Sequence, residues 1–203
     1  MDRSAVAQGH DKWRGRRAVV IGRRLQVVRP QIEARADDAH LRLNMLLTEH
    51  REDGTVGFIM NKMLDARLND VVSDFPKFDA PLFYGGPIAT DTIHYLHNVG
   101  ELLEGSTRIS SGVYWGGNWQ NLKFLIDAKL IEPKHIRFFI GYSSWAEGQL
   151  REEMQDYKSW LVGDMHANYL FHAQPKTLWR TVLQHKGNAF SIIADMPEDN
   201  HLN

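Results

Sequence analysis

The sequence predicts a single α+β domain, and three observations lead to this fold class. The chain has 203 residues, a natural length for one domain with a sizeable core. Two apolar runs joined by the turn dipeptide Asp53-Gly54 predict an antiparallel hairpin. Further segments space their apolar residues as amphipathic helices do. We expect the domain to span residues 17–196, after a disordered lead at 1–16 and before a polar tail at 197–203.

Strands are expected where short apolar runs end at a glycine, a proline or a turn. In chain order these are 17–21, 43–48, 56–61, 81–84, 92–96, 112–115, 136–140, 160–162 and 167–171. Helices are expected where apolar residues recur every three or four positions. These are 68–75, which Pro76 ends, then 118–130, 147–157 and 177–185.

Composition narrows the class of protein. Hydrophobic residues make up 43% and charged residues 24% of the chain, which is ordinary for a soluble globular protein. The chain has no cysteine, so disulfides, thiol nucleophiles and cysteine-ligated metals are excluded. No apolar run reaches the length of a membrane span, and no secretory signal is visible. We therefore expect a cytoplasmic protein that needs no membrane and no metal or organic cofactor.

Four short motifs occur in a specific order. They are Thr48-Glu49-His50, Gly57 to Lys62, Gly85-Gly86-Pro87 and Gly141 to Leu150. With this order and spacing, the chain from about residue 46 to about residue 187 resembles the AlgH/YqgE-like family of bacterial proteins. The resemblance implies an α+β domain with a mixed, partly barrel-like sheet flanked by helices. Some members are labelled as candidate transcriptional regulators, and the family supplies no catalytic residues to carry over.

The chain departs from the family pattern in three places. Met63 stands where a proline is usual, and Ser144 stands where a glycine is common. The segment before Leu46 matches poorly, and residues 23–39 are rich in Arg, Ala and Gln without an aromatic residue. Local divergence and a reading-frame error both explain this loss of pattern, and the sequence does not separate them.

The N-terminal segment concentrates positive charge. Residues 1–35 carry eight Arg and one Lys against three acidic residues, while the remainder has a net charge of −7. Nucleic-acid binding through residues 3–35 is therefore an alternative function. We expect such binding to be weak and independent of sequence at most, because the acidic remainder repels phosphate.

The segment Gly141 to Trp145 has two interpretations, both of which place a turn between a strand and a helix. As a nucleophile elbow it would make the protein a hydrolase using Ser143 or Ser144, with a histidine base that the spacing does not select. The elbow requires a glycine where Trp145 stands. The favoured interpretation is a capping box, in which Ser144 and Glu147 satisfy the first N–H groups of the next helix.

The leading hypothesis is a non-enzymatic binding or regulatory protein that recognises a small ligand or a protein partner. Its candidate ligand-binding residues are His50, Asn61, Gly85, Gly86, Tyr142, Ser143, Trp145 and Gln149. We expect Asn61, Gly86 and Tyr142 to lie near one concavity, since strand ends often gather where pockets form. No metal site is expected, because His94 and His97 are three apart on a strand and face opposite ways.

Overall fold

A computed structural model of the chain describes residues 18–22, 43–156 and 160–194. Its described strands form one ten-stranded sheet that is nearly closed and barrel-like. The strands are β1 (Ala18–Gly22), β2 (Leu43–Arg51), β3 (Gly54–Ile59), β4 (Met63–Arg67), β5 (Pro81–Tyr84), β6 (Ile88–His97), β7 (Thr107–Ser110), β8 (Val113–Trp115), β9 (Ile136–Ala146) and β10 (Trp160–Asp164).

Short helices flank this sheet. They are α1 (Leu68–Val71), α2 (Trp119–Asp127), α3 (Gln149–Asp156), α4 (Asn168–Phe171), α5 (Leu178–Lys186) and α6 (Asn188–Ala194), with 3-10 turns at Pro133–His135 and Pro175–Thr177. The mixture of strands and helices confirms the predicted α+β class.

Strand β9 is the centre of the sheet because it pairs with three other strands. Along one edge it runs antiparallel to β6, from Ile88↔Tyr142 to His97↔Ile136. Along the other edge its first half runs parallel to β5, and its second half runs antiparallel to β3. The remaining order continues β3-β2-β1-β10 on one side and β6-β8-β7 on the other. Every large part of the sheet is therefore joined through β9.

The core lies on both faces of the sheet. One cluster packs Phe58, Leu96 and Phe139 against α4 and α5. A second packs Phe138 and Leu82 against α1 and α2 on the opposite face. Neighbouring residues Phe138 and Phe139 enter different clusters because successive side chains of a strand point to opposite faces.

The structure confirms most of the predicted elements where the pattern is local. The predicted hairpin forms as β2–β3, with its turn at Glu52 and Asp53 and with Gly54 opposite Arg51. The strand expected at 81–84 is β5. The helix expected at 118–130 is the shorter α2, and the helix expected at 177–185 is α5, shifted by one residue. Asn118 begins α2, because its side chain accepts a hydrogen bond from the N–H of Asn121 at 2.9 Å.

Other predictions are wrong. Where a strand was expected at 167–171, Asn168–Phe171 form the helix α4, and the helix expected at 68–75 ends at Val71. Strands β4 and β7 and helix α6 were not predicted. The central strand does not end at Ile140 but continues to Ala146. The lead at 1–16, the segment 23–39 and the tail at 197–203 lie outside the described residues.

Within the described part of the chain, every helix is too short or too polar to cross a membrane.

A buried histidine joins β6 to the end of β8. His97 is fully buried, and its Nε2 lies 2.9 Å from the carbonyl oxygen of Gly116 and 3.1 Å from the Ser106 hydroxyl. The Tyr114 ring stacks on it at 5.8 Å. Burial lowers the pKa of His97 below 6.5, although the Gly116 carbonyl partly opposes this. The folded state therefore holds His97 neutral.

We expect acid to destabilise the protein through this histidine. His97 binds a proton more readily when unfolded, so its contribution to the unfolding free energy is complete above pH 6.5 and is lost as pH falls toward the lower folded pKa. The loss is at most about 1.4 kcal/mol per pH unit for each proton. His97→Gln, which keeps an N–H donor, should flatten urea-derived stability between pH 7.5 and 5. His172→Gln on the surface is the control, and an equal slope in all three proteins would contradict the assignment.

Candidate functional site

The family motifs meet where β5 leaves the edge of β9 and β3 takes its place. Gly85 lies at this crossing: its N–H donates to the carbonyl of Ile140 at 2.9 Å, and its own carbonyl accepts from the N–H of Ile59 at 2.9 Å. The Ser143 hydroxyl also donates to the Gly85 carbonyl, at 3.2 Å. One residue thus bonds β3 and β9 together, and it brings the motifs that contain these strands into contact.

The crossing has no room for side chains at its glycines. A Cβ atom on Gly85 would lie 2.3 Å from the carbonyl oxygen of Gly141, and one on Gly86 would lie 2.3 Å from Ser143 Oγ. Gly141 has φ +64°, and its own Cβ would come within 2.6 Å of the Gly86 oxygen. At these glycines the backbone of one strand lies directly against the backbone of another.

Neither interpretation of the serines as part of a strand–turn–helix junction is correct. Ser143 and Ser144 lie within β9, where they pair with Gly57 and Val56 of β3. Helix α3 begins only at Gln149, whose side-chain oxygen accepts from the N–H of Ala146 at 3.0 Å. The nucleophile elbow and the Ser144 cap both fail for one reason. The second half of β9 stays extended because β3 supplies it with ladder hydrogen bonds.

Two more of the predicted residues are committed to internal contacts. Asn61 is buried, and its Oδ1 accepts a hydrogen bond from the N–H of Asn44 at 2.9 Å. Trp145 is also buried, and its indole N–H donates to Glu153 of α3 at 3.2 Å. These side chains hold the open end of the hairpin and the second turn of α3.

His50 and Tyr142 keep part of their surface in solvent. His50 Nδ1 lies 2.7 Å from the hydroxyl of Thr55, its partner across the hairpin. Desolvation lowers the pKa of His50, and the nearby Arg151 lowers it further. Tyr142 is half-buried with its ring 5.4 Å from that of His94. Burial likewise lowers the pKa of His94, so both imidazoles favour the neutral form.

The predicted set is only partly brought together. Gly85, Gly86, Tyr142 and Ser143 meet at the crossing. His50 stands six residues along β2 from Asn44, the partner of Asn61, and a strand rises about 3.3 Å per residue, so roughly 20 Å separate them. His94 and His97 face opposite sides of β6, as predicted. Among the described residues, no three His, Asp or Glu side chains are grouped to hold a metal ion.

A cleft that the sequence did not predict lies between the start of β9 and the segment after α4. Its volume is about 270 Å³. It is lined by Met63, Pro81, Phe83, Pro133, Lys134, Ile136, Arg137, Leu170, Phe171, His172, Ala173, Gln174 and Pro175. Many of the lining residues are apolar, but polar atoms supply more of the exposed lining than apolar atoms do, and the charged groups come from Arg137 and Lys134.

Arg137 is the unusual residue of this cleft. It exposes 9% of its surface, yet no carboxylate in the described chain pairs with it. Its Nη1 donates to the carbonyl of Met60 at 2.8 Å, and its guanidinium carbon lies 4.3 Å from the centre of the Phe83 ring. Desolvation lowers the pKa of Arg137 to about 10, so the side chain stays charged at neutral pH. The cleft therefore holds a desolvated positive charge.

The sequence contained a signal for Arg137. It interrupts the apolar run Ile136-Arg137-Phe138-Phe139-Ile140, where a charged residue is out of place in a central strand. Its importance was not predicted because Met60 and Phe83 are distant in the sequence, Met60 by 77 positions.

Comparisons with known proteins agree with the fold. The sequence profile of the AlgH-like family matches residues 34–191. A UPF0301 protein of Chlorobium phaeobacteroides is 35% identical over 154 residues, which cover 76% of this chain and 82% of the relative. A UPF0301 protein of Cytophaga hutchinsonii is 34% identical over 168 residues, covering 82% and 92%.

Two solved structures share the fold. The solution structure of the AlgH protein from Pseudomonas aeruginosa has a TM-score of 0.65 at 22% identity, covering 89% of this chain and 93% of that one. A crystal structure of a Corynebacterium diphtheriae protein has a TM-score of 0.63 at 19% identity, covering 88% and 91%. At these identities the likeness extends to the fold alone.

We expect Gly85→Ala to destabilise the protein by about 3 kcal/mol or more, because backbone atoms on two strands would have to move. Gly163→Ala in β10 is the matched control, since its Cβ would make an ordinary 3.6 Å contact with Val182. Urea unfolding of both variants measures the difference. Equal, small losses would show that the crossing tolerates a side chain.

Proposed function

Since this chain belongs to the AlgH-like family, whose named relatives carry no assigned activity, we propose that it is a non-enzymatic binding protein. Its ligand would occupy the cleft beside Arg137. A regulatory role, which would make ligand occupancy the signal, and a place in the cytoplasm are part of the same proposal.

One observation carries the proposal: a buried, charged guanidinium in a cleft, with no partner carboxylate among the described residues. Burying an unpaired charge costs several kcal/mol unless other groups compensate. A single carbonyl and one aromatic ring are modest compensation for this cost. Sites that bind ligands commonly retain such groups, because the ligand completes the interaction.

The hydrolase alternative has less support. Ser143 is buried, and its hydroxyl donates to the Gly85 carbonyl. Ser144 is exposed on β9. No histidine forms a hydrogen bond with either serine among the described residues, and activation of a serine requires a base within about 3 Å. Nucleic-acid binding through residues 3–35 depends on a segment of which only β1 is described, so no contact in the structure supports it.

A fragment screen tests where ligands bind. We expect mixtures of neutral, cationic and anionic fragments to shift the backbone amide resonances of residues 134–137 and 170–174 in the ¹⁵N-labelled protein. Amides of the hairpin turn at 51–54 serve as the internal control. Shifts confined to the crossing at Gly86 and Tyr142 would return the ligand site to the residues predicted from the motifs. No shift in either region would contradict the binding function.

A second experiment separates binding from catalysis. We expect a fluorophosphonate probe to leave Ser143 and Ser144 unlabelled, because neither hydroxyl is hydrogen-bonded to a histidine in the described part of the chain. Mass spectrometry of the digested protein gives the readout, and an active serine hydrolase in the same tube is the positive control. Labelling that disappears in Ser144→Ala, with the fold intact, would establish the hydrolase instead.

A further inference from the structure

We infer that the Arg137 cleft recognises an oxyanion, carried as a carboxylate or phosphate on a small molecule. This inference rests on the proposed function and specifies its ligand class. It follows from three features of the cleft: the donors that Arg137 leaves unused, the charge around it and its small volume.

The guanidinium is held so that part of it remains free for a ligand. Phe83 covers one face, and Met60 takes one hydrogen bond at Nη1. A guanidinium has five N–H donors, so four are left after the Met60 contact. Since its orientation is already fixed by Phe83 and Met60, little side-chain entropy is lost when a planar oxyanion binds to the remaining donors.

Charge favours an anion over other ligands. Arg137 and Lys134 line the cleft, and His172 and Gln174 add side chains able to donate hydrogen bonds at its rim. Lys134 is paired with Glu132 at 2.9 Å, but both of those side chains are largely exposed, so solvent weakens their attraction. No carboxylate is among the described residues that line the cleft. A cationic ligand would meet the buried guanidinium and be repelled.

The size of the cleft limits the ligand. A volume of about 270 Å³ lies just below the range of about 300–1,000 Å³ that suits drug-sized ligands. Polar atoms supply more of the exposed lining than apolar atoms do, because Phe83, Ile136 and Leu170 are almost fully buried. The cleft therefore fits a small acid with its oxyanion at Arg137.

A structural clamp is the competing explanation for Arg137. The Met60 carbonyl lies just beyond the end of β3, and Arg137 satisfies it. A clamp of this kind needs one donor and no net charge, whereas an oxyanion site needs the charge and the remaining donors. The two explanations therefore give different answers when charge is varied on the ligand.

Four probes with one shared ring test the charge requirement: benzoate, phenyl phosphate, benzamide and benzylamine. Titrations follow the amide resonances of residues 134–137 and 170–174 at constant ionic strength. We expect benzoate or phenyl phosphate to bind about tenfold or more tightly than benzamide, because charge-assisted hydrogen bonds are about twice as strong as neutral ones. Benzylamine should not bind. The benzoate and phenyl phosphate arms distinguish a carboxylate from a phosphate as the natural group.

Variants assign the effect to Arg137. Arg137→Lys keeps the charge but loses the planar fork, and we expect about tenfold weaker binding of the preferred anion. Arg137→Met should abolish the preference for anions. Arg151→Met, an exposed arginine on α3, is the matched control and should bind like the unmodified chain. If Arg137→Met does not fold, the four probes on the unmodified protein and the Arg137→Lys titration still decide the question.

The outcomes separate this inference from the proposed function. Benzamide binding in the cleft as tightly as both anions would overturn the oxyanion while leaving the binding function intact. Fragments that bind in the cleft while neither anion does would have the same meaning. Failure of all four probes, together with an empty fragment screen, would overturn both.

Discussion

The fold depends on one strand that two others share along a single edge. β9 receives β5 for three residues and then β3 for four, and the exchange takes place within one glycine-rich crossing. Because Gly85 bonds to both β9 and β3, each strand's position is set by the other's. Backbone atoms approach one another there too closely for a Cβ, so the crossing has little freedom to adjust.

This constraint changes the meaning of the family motifs. A glycine-rich sequence between a strand and a polar segment is typical of ligand-binding loops, and in many proteins such a loop does bind a phosphate or a nucleotide. Here the glycines serve a crossing between strands, Ser143 ties that crossing together, and Asn61 holds the start of β2. The described residues that line the cleft lie outside the four motifs. In this interpretation the motif residues and the residues that contact the ligand are therefore separate sets. One hydrogen bond links them, because the carbonyl of the motif residue Met60 accepts from the Arg137 guanidinium.

Local chemistry allowed the sequence to predict some elements and not others. The β2–β3 hairpin was predictable because its turn and both strands are adjacent, and α2 because Asn118 and the apolar stripe lie within it. The end of β9 was not predictable from the sequence, because Gly141, which has φ +64° within the strand, gives the same local sequence pattern as a turn. Residues 167–171 are apolar enough for a strand, and packing against the sheet makes them a helix instead. Arg137 gains its setting from contacts far along the chain, which no window of sequence contains.

The shared strand also has a consequence for how the protein is made. The hairpin β2–β3 leaves the ribosome early, but the residues that cover the open side of β3 are Ser143 to Ala146. At translation rates of about 5–20 residues per second, this edge of β3 stays uncovered for on the order of ten seconds, until β9 has been synthesised. For this period Gly54 to Gly57 present an unpaired strand edge, which is a template for pairing with another chain. The nascent protein is thus most vulnerable to aggregation before β9 emerges, and slower translation lengthens this period.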